Sequence, residues 1–337
     1  MDDAHPLVLT MGEPAGVGGE LTLDAWRYRR ERRFPVFAAL DDPARLAGLA
    51  ASLGWDVPIR EIGRIEEAAA VFAEALPVLP VPLAAPVQPG RPDPANAPAV
   101  IASIERAVAL CRDSRAAAMV TQPIQKSSLY AAGFAHPGHT EFLAELCGVA
   151  LPVMMLAVEG VLRVVPITIH EPIAKVPALL TRDLVQATAR ITADALRRDF
   201  GIPAPRLVLA GLNPHAGEGG SIGREEVDVL APAVAALRAE GIDITGPFPA
   251  DSLFHEAARA RYDAALCPTH DQALIPLKTL DFWNGVNVTL GLPIARTSPD
   301  HGTALDLAGT GKADARSLFA AIALAGRMAE ARRAGMA

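Results

Sequence analysis

The sequence predicts an α/β protein. Two observations support this: short apolar runs recur along the 337 residues, and amphipathic stretches long enough for helices separate them. The length exceeds what one ordinary hydrophobic core supports, so we expect two domains. A hydrophobic fraction of 51% agrees with a well-packed globular chain.

The first third of the chain alternates strands and helices. Residues 7–10 and 36–40 are continuous apolar runs of strand length and are predicted to be buried strands. Between them, residues 20–30 have helical character. Residues 77–98 are rich in proline and lack periodicity, so we expect an irregular connection or an edge segment there. A helix is predicted over 97–112.

The rest of the chain continues the alternation with one exception. A strand is predicted at 116–121 and a helix at 139–147, after a glycine-containing loop. Residues 152–157 and 161–169, joined at Glu159-Gly160, have the pattern of a hairpin, which is unusual in a purely parallel sheet. Long helices are predicted at 181–200, 224–240 and 315–334.

Charge and composition exclude several classes of partner. A net charge of −7 without a basic tract argues against nucleic acid and against anionic membranes. No apolar run approaches the ~20 residues that span a bilayer. Residues 1–5 are acidic and polar, unlike a signal peptide, and the three cysteines are widely spaced. We therefore expect a cytoplasmic protein with free thiols.

Three histidines follow apolar, strand-like runs in the same way. His170, His215 and His270 each stand just after such a run. In open α/β sheets, ligands bind beyond the carboxyl ends of the strands, and three imidazoles there could share one metal ion and leave a position open for substrate. A single such histidine is usually an ordinary half-buried residue, but three matching contexts favour a metal site.

Two loops and one helix start carry candidate ligand-binding groups. The glycine-rich loop 12–20 either brings backbone amides to a ligand or makes a tight strand-to-helix turn. His139 and Thr140 open a predicted helix and either bind an anion or cap the helix. The loop 300–309, with its small residues, either admits a flat ligand or is a capped connection.

Polar residues in the last third add to this set. The loop 213–220 combines Asn, His and Glu with glycines, which favours function over a purely structural turn. Lys278 lies in apolar surroundings, where a lysine binds phosphate or transfers a proton. Ordinary surface charge is the alternative for Lys278 and Arg296.

These motifs, in this order over essentially the whole chain, resemble the 4-hydroxythreonine-4-phosphate dehydrogenase family of vitamin B6 biosynthesis. The loop 300–309 also looks like the cofactor loop of isocitrate and isopropylmalate dehydrogenases. The matching segments are Gly-Glu-Pro-Ala-Gly-Val-Gly at 12–18, Gly-His-Thr-Glu-Phe at 138–142, Leu-Asn-Pro-His-Ala-Gly-Glu-Gly-Gly at 212–220, Pro-Ala-Asp-Ser-Leu-Phe at 249–254, His-Asp-Gln at 270–272, Gly-Val-Asn-Val-Thr-Leu-Gly-Leu-Pro at 285–293 and Arg-Thr-Ser-Pro-Asp-His-Gly-Thr-Ala at 296–304.

The resemblance implies a more specific architecture. It implies two α/β/α domains of the isocitrate/isopropylmalate dehydrogenase-like type with the active site in the interdomain cleft. Residues 1–135 with 300–337 would form the first domain, on the cofactor side. Residues 136–299 would form the second, with the metal ligands, the substrate site and the dimer interface.

The resemblance also implies a reaction. In this family 4-phosphohydroxy-L-threonine is oxidised by NAD or NADP, and the resulting β-keto acid loses carbon dioxide to give 3-amino-2-oxopropyl phosphate. The family's active site is shared between the subunits of a homodimer and uses a divalent metal ion. Imidazole ligation favours Zn, Co, Mn or Fe over Mg, and Mg becomes acceptable if carboxylates also coordinate.

Carried over by motif, the site residues fall into four roles. The metal ligands are His170, His215 and His270, and the substrate-binding residues are His139, Thr140, Lys278, Asn287 and Arg296. The catalytic candidates are Lys278, Asp271 and Asp251, of which Lys278 and Asp271 are alternative general bases. The cofactor-binding candidates are Asp300, His301, Gly302, Thr303, Ala304, Asp306 and Gly309.

Departures from the family pattern leave other functions open. Gly19 stands where proline is usual, and Gln122 and Gln125 lie in a Thr-Gly-Pro-Val-His-Lys-like segment. One alternative is a paralogous dehydrogenase of D-threonate or D-erythronate 4-phosphate. Another is a phosphate acetyltransferase-like or non-catalytic phosphometabolite-binding protein, for which the three histidines would be unnecessary.

Overall fold

A computed structural model describes residues 5–336 of the chain. The side chain of Met336 lies outside this description, as do residues 1–4 and Ala337. The sequence-based statement about a signal peptide therefore falls almost wholly on residues outside the described part.

The apolar runs form short buried strands. Leu7–Thr10 and Phe37–Asp41, for example, are buried at every position, as expected for strands covered on both faces. In chain order the strands are β1 (Leu7–Thr10), β2 (Phe37–Asp41), β3 (Ile59–Glu61), β4 (Leu76–Pro80), β5 (Met119–Val120), β6 (Val153–Val158), β7 (Leu162–Pro166), β8 (Leu207–Ala210), β9 (Ile244–Phe248), β10 (Ala264–Cys267), β11 (Val286–Leu290) and β12 (Arg296–Pro299).

Helices lie between most of the strands. Several begin at a side-chain cap, as at Asp42 and Thr181, and end at a left-handed glycine, as at Gly54 and Gly201. In chain order they are α1 (Gly18–Arg27), α2 (Pro43–Leu53), α3 (Ala68–Val71), α4 (Ala97–Arg112), α5 (Lys126–Ala131), α6 (His139–Cys147), α7 (Val176–Leu179), α8 (Arg182–Phe200), α9 (Ala231–Ala239), α10 (Glu256–Arg259), α11 (His270–Leu280) and α12 (Arg316–Met336).

The chain divides into two compact units. The first runs to Pro152 and resumes over Leu292–Glu330, and its strands lie in the order β3-β4-β2-β1-β5-β12 with every pairing parallel. Its core is formed by apolar side chains of the strands and of α4 and α6, including Val8, Ile104 and Leu143. This is the α/β arrangement that the sequence predicts.

The second unit comprises Val153–Gly291 and the end of the chain from Ala331. Its strands lie in the order β11-β6-β7-β10-β8-β9. Pairings β11–β6 and β6–β7 are antiparallel, which confirms the predicted hairpin, whereas β7–β10, β10–β8 and β8–β9 are parallel. The carboxyl ends of four neighbouring strands therefore lie along one edge of this sheet.

The domain bounds drawn from the sequence, 135/136 and 299/300, differ from the bounds of these units. Helix α6 packs on α4 of the first unit through Phe142 and Leu143. Strand β12 pairs with β5 of the first unit, at Arg296↔Met119. The bounds drawn from the sequence place both segments in the second domain. Local sequence does not reveal which hydrophobic core an amphipathic helix or a short strand joins.

The predicted secondary structure is correct for most long elements and wrong at one strand. The helix predicted at 139–147 has those bounds, whereas residues 77–98 were expected to be irregular or at an edge. Residues 76–80 instead form β4, which lies between β2 and β3. The parallel ladder tolerates Pro77 and Pro80 because it uses other amides, such as those of Leu76 and Val81. Among the described residues, each helix is too short or too polar to cross a bilayer.

Candidate active site

The three predicted metal-binding histidines follow three adjacent parallel strands of the second unit. His170 comes after β7, His270 directly after β10, and His215 after β8. Strand β10 pairs in parallel with β7 on one side and with β8 on the other. The three histidines therefore follow the carboxyl ends of three adjacent strands of one sheet.

Two of these imidazoles are neighbours. The ring centroids of His170 and His270 lie 5.8 Å apart. Nδ1 of His270 lies 2.8 Å from Oδ1 of Asp271, so the ring carries a proton on Nδ1 and presents Nε2 as a lone-pair donor. Asp271 thus orients one of the two neighbouring rings.

Hydrogen bonds connect the chain segments that carry the histidines. Thr168, two residues before His170, donates from its hydroxyl to the carbonyl of Pro268, two residues before His270, at 2.6 Å. Gln272 donates from Nε2 to the carbonyl of Gly211 at the end of β8 (2.9 Å). Gln272 also forms a capping box with Thr269 that fixes the start of α11. The three segments are therefore held as one connected edge.

His215 lies on a segment with an uncommon backbone. Residues 215–219 all have positive φ, including three that are not glycine: His215 at 51°, Ala216 at 50° and Glu218 at 44°. The left-handed conformation costs an L residue about 1–2 kcal/mol, so contacts from outside the segment must hold it.

The donor set suits a divalent transition metal in its chemistry. Imidazole nitrogens are good ligands of transition metals such as Zn and Fe, and the ring of His270 is oriented by a carboxylate, as metal-ligating histidines commonly are. Within residues 5–336, no three His, Cys, Asp or Glu side chains are gathered closely enough to form a metal site by themselves. The single chain thus brings two of the three predicted ligands together.

The structure places three further predicted residues of this unit on other elements. Asp251 is exposed in the turn after β9, so it follows the fourth strand of the same edge. Lys278 lies on α11, two turns after His270, with its ammonium 5.6 Å from the ring centre of Phe282. On β11, the side-chain oxygen of Asn287 is buried and has no hydrogen-bond partner among the described residues. That oxygen is a candidate ligand contact.

In the first unit, Arg296 is a buried cation at the start of β12. Only 3% of the residue is exposed, and its Nε and one terminal nitrogen donate to the hydroxyl of Thr121, at 3.1 and 2.6 Å. Burial lowers the pKa of the guanidinium from 12.5 to about 10, so it stays charged at neutral pH. A buried guanidinium at the start of a strand is a candidate contact for a substrate anion.

His139 lies within the influence of this cation. Its Nε2 is buried and, in the part of the chain that the structure describes, has no hydrogen-bond partner. Burial, followed by the charges of Arg296 and Lys126, lowers the pKa of His139 to about 3. His139 and Thr140 are the first two residues of α6, so their backbone amides point out of a helix N-terminus.

Lys126 was not selected from the sequence. It begins α5, and its Nζ lies 3.7 Å from the position that a Cβ on Gly138 would take. Together with Arg296 it gives the start of α6 a positive environment. The sequence shows only that Lys126 follows a predicted strand. That its side chain lies near the start of α6 depends on the tertiary fold.

The depressed pKa of His139 gives a prediction for stability. Between pH 6.5 and about 3 the unfolded chain binds a proton on this histidine that the native state does not bind, so lowering the pH favours unfolding in that window. We expect His139→Gln to reduce the loss of unfolding free energy over this range in urea titrations. The same substitution at exposed His5 is the control, and equal slopes for wild type and His139→Gln would contradict the assignment.

The predicted cofactor loop packs against the glycine-rich loop of the same unit. Val17 donates its backbone N–H to the carbonyl of Thr303 (3.0 Å), and a Cβ on Gly16 would lie 2.9 Å from that oxygen. Ala304 has a φ of 42°, and the amide of Gly309 donates to the buried carboxylate of Glu20 at 2.7 Å. Glycine at 16 is therefore required by the close approach of the two loops.

A cavity of about 630 Å³ opens beside these loops. Gly16 and Gly309 line it, one from each loop, together with apolar residues such as Leu49 and Val87 and the polar side chain of Ser52. Its size and mixed lining are typical of sites for small molecules and cofactors. Of the predicted cofactor residues, Gly309 lines this cavity, whereas Asp300, His301, Gly302, Thr303, Ala304 and Asp306 do not.

Known proteins match the chain over nearly all of its length. A family model described as pyridoxal phosphate biosynthetic protein PdxA matches residues 35–325. A 4-hydroxythreonine-4-phosphate dehydrogenase from Methylorubrum populi is 59% identical over 335 residues, covering 97% of this chain and 95% of the relative. A crystal structure of the Klebsiella pneumoniae enzyme of that name has a TM-score of 0.87 at 37% identity, covering 97% of this chain and 100% of that one.

The likeness extends further in fold alone. A branched-chain phosphotransacylase from Enterococcus faecalis has a TM-score of 0.53 at 12% identity, covering 96% of this chain and 99% of that one. The fold and its polar clusters, with these matches, define an α/β enzyme of the oxidoreductase class. The chain belongs to the PdxA family of pyridoxal phosphate biosynthetic proteins, and the resemblance inferred from its motifs is confirmed.

Proposed function

We propose that the chain oxidises 4-phosphohydroxy-L-threonine with NAD or NADP and releases carbon dioxide and 3-amino-2-oxopropyl phosphate. The observation that carries the proposal is the pair of imidazoles, His170 and His270, 5.8 Å apart at the ends of adjacent parallel strands. The dehydrogenase relative at 59% identity supports the same reaction.

His170, His215 and His270 are the residues that would hold a divalent ion, Zn, Co, Mn or Mg. Such an ion supplies Lewis-acid stabilisation of negative charge on substrate oxygens. Asp271 supports this role by holding the His270 ring through Nδ1 (2.8 Å). This contact assigns Asp271 to orientation and favours Lys278 as the group that accepts the hydroxyl proton.

Two sets of residues are proposed to bind the substrate. In the first unit, Arg296 is a buried cation and His139 is a neutral imidazole at a helix start, with Thr140 beside it. In the second unit, Lys278 supplies a cation and Asn287 an unpartnered side-chain oxygen. The first set suits phosphate, because backbone amides, a fixed guanidinium and a neutral donor are its usual partners.

The dinucleotide is proposed to bind along the loop 300–309, with its adenosine half in the 630 Å³ cavity. Asp300, His301, Gly302, Thr303, Ala304, Asp306 and Gly309 are retained as cofactor residues on this basis. The contact of the loop with Gly16 and the bond from Gly309 to Glu20 support a fixed loop shape, which reduces the entropy lost when a cofactor binds.

A substitution at Ala304 tests this assignment. We expect Ala304→Trp to raise the KM for NAD far more than the KM for the phosphorylated substrate, because the indole would occupy space beside the loop. Ala304→Gly is the matched control, since glycine accepts the φ of 42° without strain. If both KM values rise together, the loop has another role.

We further propose a cytoplasmic homodimer whose active site is shared between subunits. A run of exposed apolar side chains on and after α11 supports a protein partner there: Ile275 is 62% exposed, Phe282 61% and Trp283 47%. Helix α11 also carries His270 and Lys278, so a second copy seated on this run would lie beside the proposed catalytic residues. Sedimentation equilibrium gives the mass directly.

The motif departures do not disturb these residues. Gln122 is fully buried and donates from Nε2 to the hydroxyl of Thr22 at 2.9 Å, and its Cβ fills the space that faces Gly12 and Gly18. The Gln125 side-chain oxygen accepts from the hydroxyl of Thr303. Both glutamine side chains therefore contact neighbouring loops and helices of the first unit.

A substrate panel tests the proposed reaction. The purified chain is incubated with NAD, a divalent metal and, separately, 4-phosphohydroxy-L-threonine, D-threonate 4-phosphate, D-erythronate 4-phosphate and unphosphorylated hydroxythreonine. We expect NADH and carbon dioxide in equal amounts from the first compound and the highest kcat/KM for it. A higher kcat/KM for either sugar acid, or acetyl transfer from acetyl phosphate to coenzyme A without NADH, overturns the proposal.

A further inference from the structure

A buried carboxylate that the proposed chemistry does not use lies under the His215 segment. Glu226 is 3% exposed and begins a single turn of π-helix, Glu226–Leu230. Its Oε1 accepts the backbone N–H of Asn213 (2.8 Å), and its Oε2 accepts the Asn213 side-chain amide (2.9 Å). One side chain therefore binds the residue that precedes the left-handed segment through two separate groups.

The same carboxylate occupies the inside of the loop. A Cβ on Gly217 would lie 2.6 Å from Oε2 of Glu226, and a Cβ on Gly211 would lie 3.2 Å from Oε1. Gly217 has a φ of 77°, so this position needs glycine for its backbone as well as for space. The loop is wrapped closely around the carboxylate from both ends.

Asn213 is held from a third direction. Its Nδ2 also donates to Glu225 at 2.7 Å, and the side chain fills the space in front of Gly223, where a Cβ would lie 2.3 Å from Nδ2. The hydrogen bond from Asn213 lowers the pKa of Glu225. Asn213 is thereby fixed between the two glutamates.

These contacts lie beside a backbone segment whose conformation is unfavourable for L residues. His215, Ala216 and Glu218 adopt positive φ, which L residues rarely do without support. A π-helical turn is also rare and occurs frequently at functional sites. Here such a turn begins at Glu226 itself.

We propose that Glu226 is a positioning residue for His215: it holds the left-handed segment 215–219, through Asn213 and Gly217, in the one shape that presents the imidazole at the strand edge. The inference rests on the proposed role of His215 as a metal ligand. The proposal gives the buried carboxylate of Glu226 a role beyond filling space in the core.

Glu226→Gln is the informative variant, because it keeps the size of the side chain but replaces one accepting oxygen by an amide group that cannot accept an N–H. Glu225→Gln is the matched control: it lies one residue away, also contacts Asn213, and is only partly buried. Three quantities are measured in the full-length protein: amide hydrogen exchange of residues 213–220, the affinity for Zn²⁺ by calorimetry, and kcat.

In Glu226→Gln we expect faster exchange across residues 213–220, with β8 and α8 protected as in wild type, and a Zn²⁺ affinity lowered by about 10- to 100-fold, the usual effect of losing a group that orients a ligand. Glu225→Gln should change both quantities little. If Glu226→Gln does not fold, Glu226→Asp, which keeps the charge but withdraws it by one methylene, should show the same two effects.

The outcomes separate this inference from the proposed function. Unchanged exchange and Zn²⁺ affinity in a folded Glu226 variant, with wild type binding Zn²⁺, overturns the inference alone. Faster exchange without any change in Zn²⁺ affinity or kcat would show that Glu226 has a purely structural role, and this result also overturns the inference. A wild type that binds no divalent metal, with His215→Ala fully active, refutes the proposed function instead, while exchange still reports whether Glu226 holds the loop.

Discussion

Alanine at His170, His215 or His270 is expected to lower kcat by about a thousandfold or more while leaving the fold intact. A metal ion contributes several kcal/mol of charge stabilisation, and each 1.36 kcal/mol corresponds to a tenfold change in rate. Steady-state NADH formation measures the loss, and circular dichroism checks the fold. His255→Ala is the matched control, an exposed histidine of the same unit that immediately precedes α10.

Mixing two inactive variants tests whether the site is shared. His170 and His270 of one chain are neighbours, so the informative pair is His215→Ala with His270→Ala. If these two ligands of a site come from different chains, random reassociation restores about a quarter of wild-type activity, because half of the dimers are mixed and each has one intact site. One variant is labelled with 15N so that mixed dimers can be recognised by mass. No recovery in a sample that contains mixed dimers shows that each site lies within one chain.

Substitution of Arg296 is expected to have the second largest effect. The residue is 3% exposed and its guanidinium donates to Thr121, so the proposed contact with the substrate phosphate would be shielded from solvent. Truncating one partner of such a buried pair costs about 2–5 kcal/mol. We therefore expect Arg296→Met to lower kcat/KM for the phosphorylated substrate by at least about thirtyfold, and Arg296→Lys to restore only part, because lysine lacks the planar fork.

The unphosphorylated substrate provides the internal comparison. For hydroxythreonine, the kcat/KM of wild type and of Arg296→Met should differ far less. The ratio of kcat/KM for the phosphorylated substrate to kcat/KM for hydroxythreonine should therefore fall in the variant. Arg45→Met is the matched control: the Arg45 side chain is 7% exposed and pairs with the carboxylate of Asp41 at 2.7 Å. Arg45 also lines the cavity proposed for the cofactor, so its loss should act on stability and on cofactor binding, which both substrates share, without changing that ratio. An unchanged ratio in Arg296→Met would remove Arg296 from the phosphate site.

The sequence predicts the strand-edge histidines because the signal is local. Each histidine follows an apolar run, and the carboxyl ends of parallel strands meet at one edge, so the position of His170 relative to His270 follows from the topology. The hairpin at β6 and β7 is also local, since Glu159-Gly160 separates two apolar runs. The helix at 139–147 is periodic and bounded by glycines at 138 and 148.

Other features depend on contacts that no local pattern reports. Glu226 meets Asn213 across 13 residues, through a left-handed segment and a π-helical turn, and both are set by packing. Lys126 approaches the start of α6 only when α5 and α6 fold on one core. The prolines of β4 argue against a strand in the sequence. The amides of Leu76 and of Val81, the residue after the strand, nevertheless make hydrogen bonds to the neighbouring strands.

Metal titration of the stripped enzyme tests the central claim most directly. The chain is freed of metal with a chelator, checked by mass spectrometry, and titrated with Zn²⁺, Co²⁺ or Mn²⁺ while NADH formation from 4-phosphohydroxy-L-threonine is recorded. We predict no activity without metal, and activity that rises in proportion to bound metal until each chain holds one ion. Full activity in the metal-free protein would contradict the account, because the three histidines would then have no part in the chemistry.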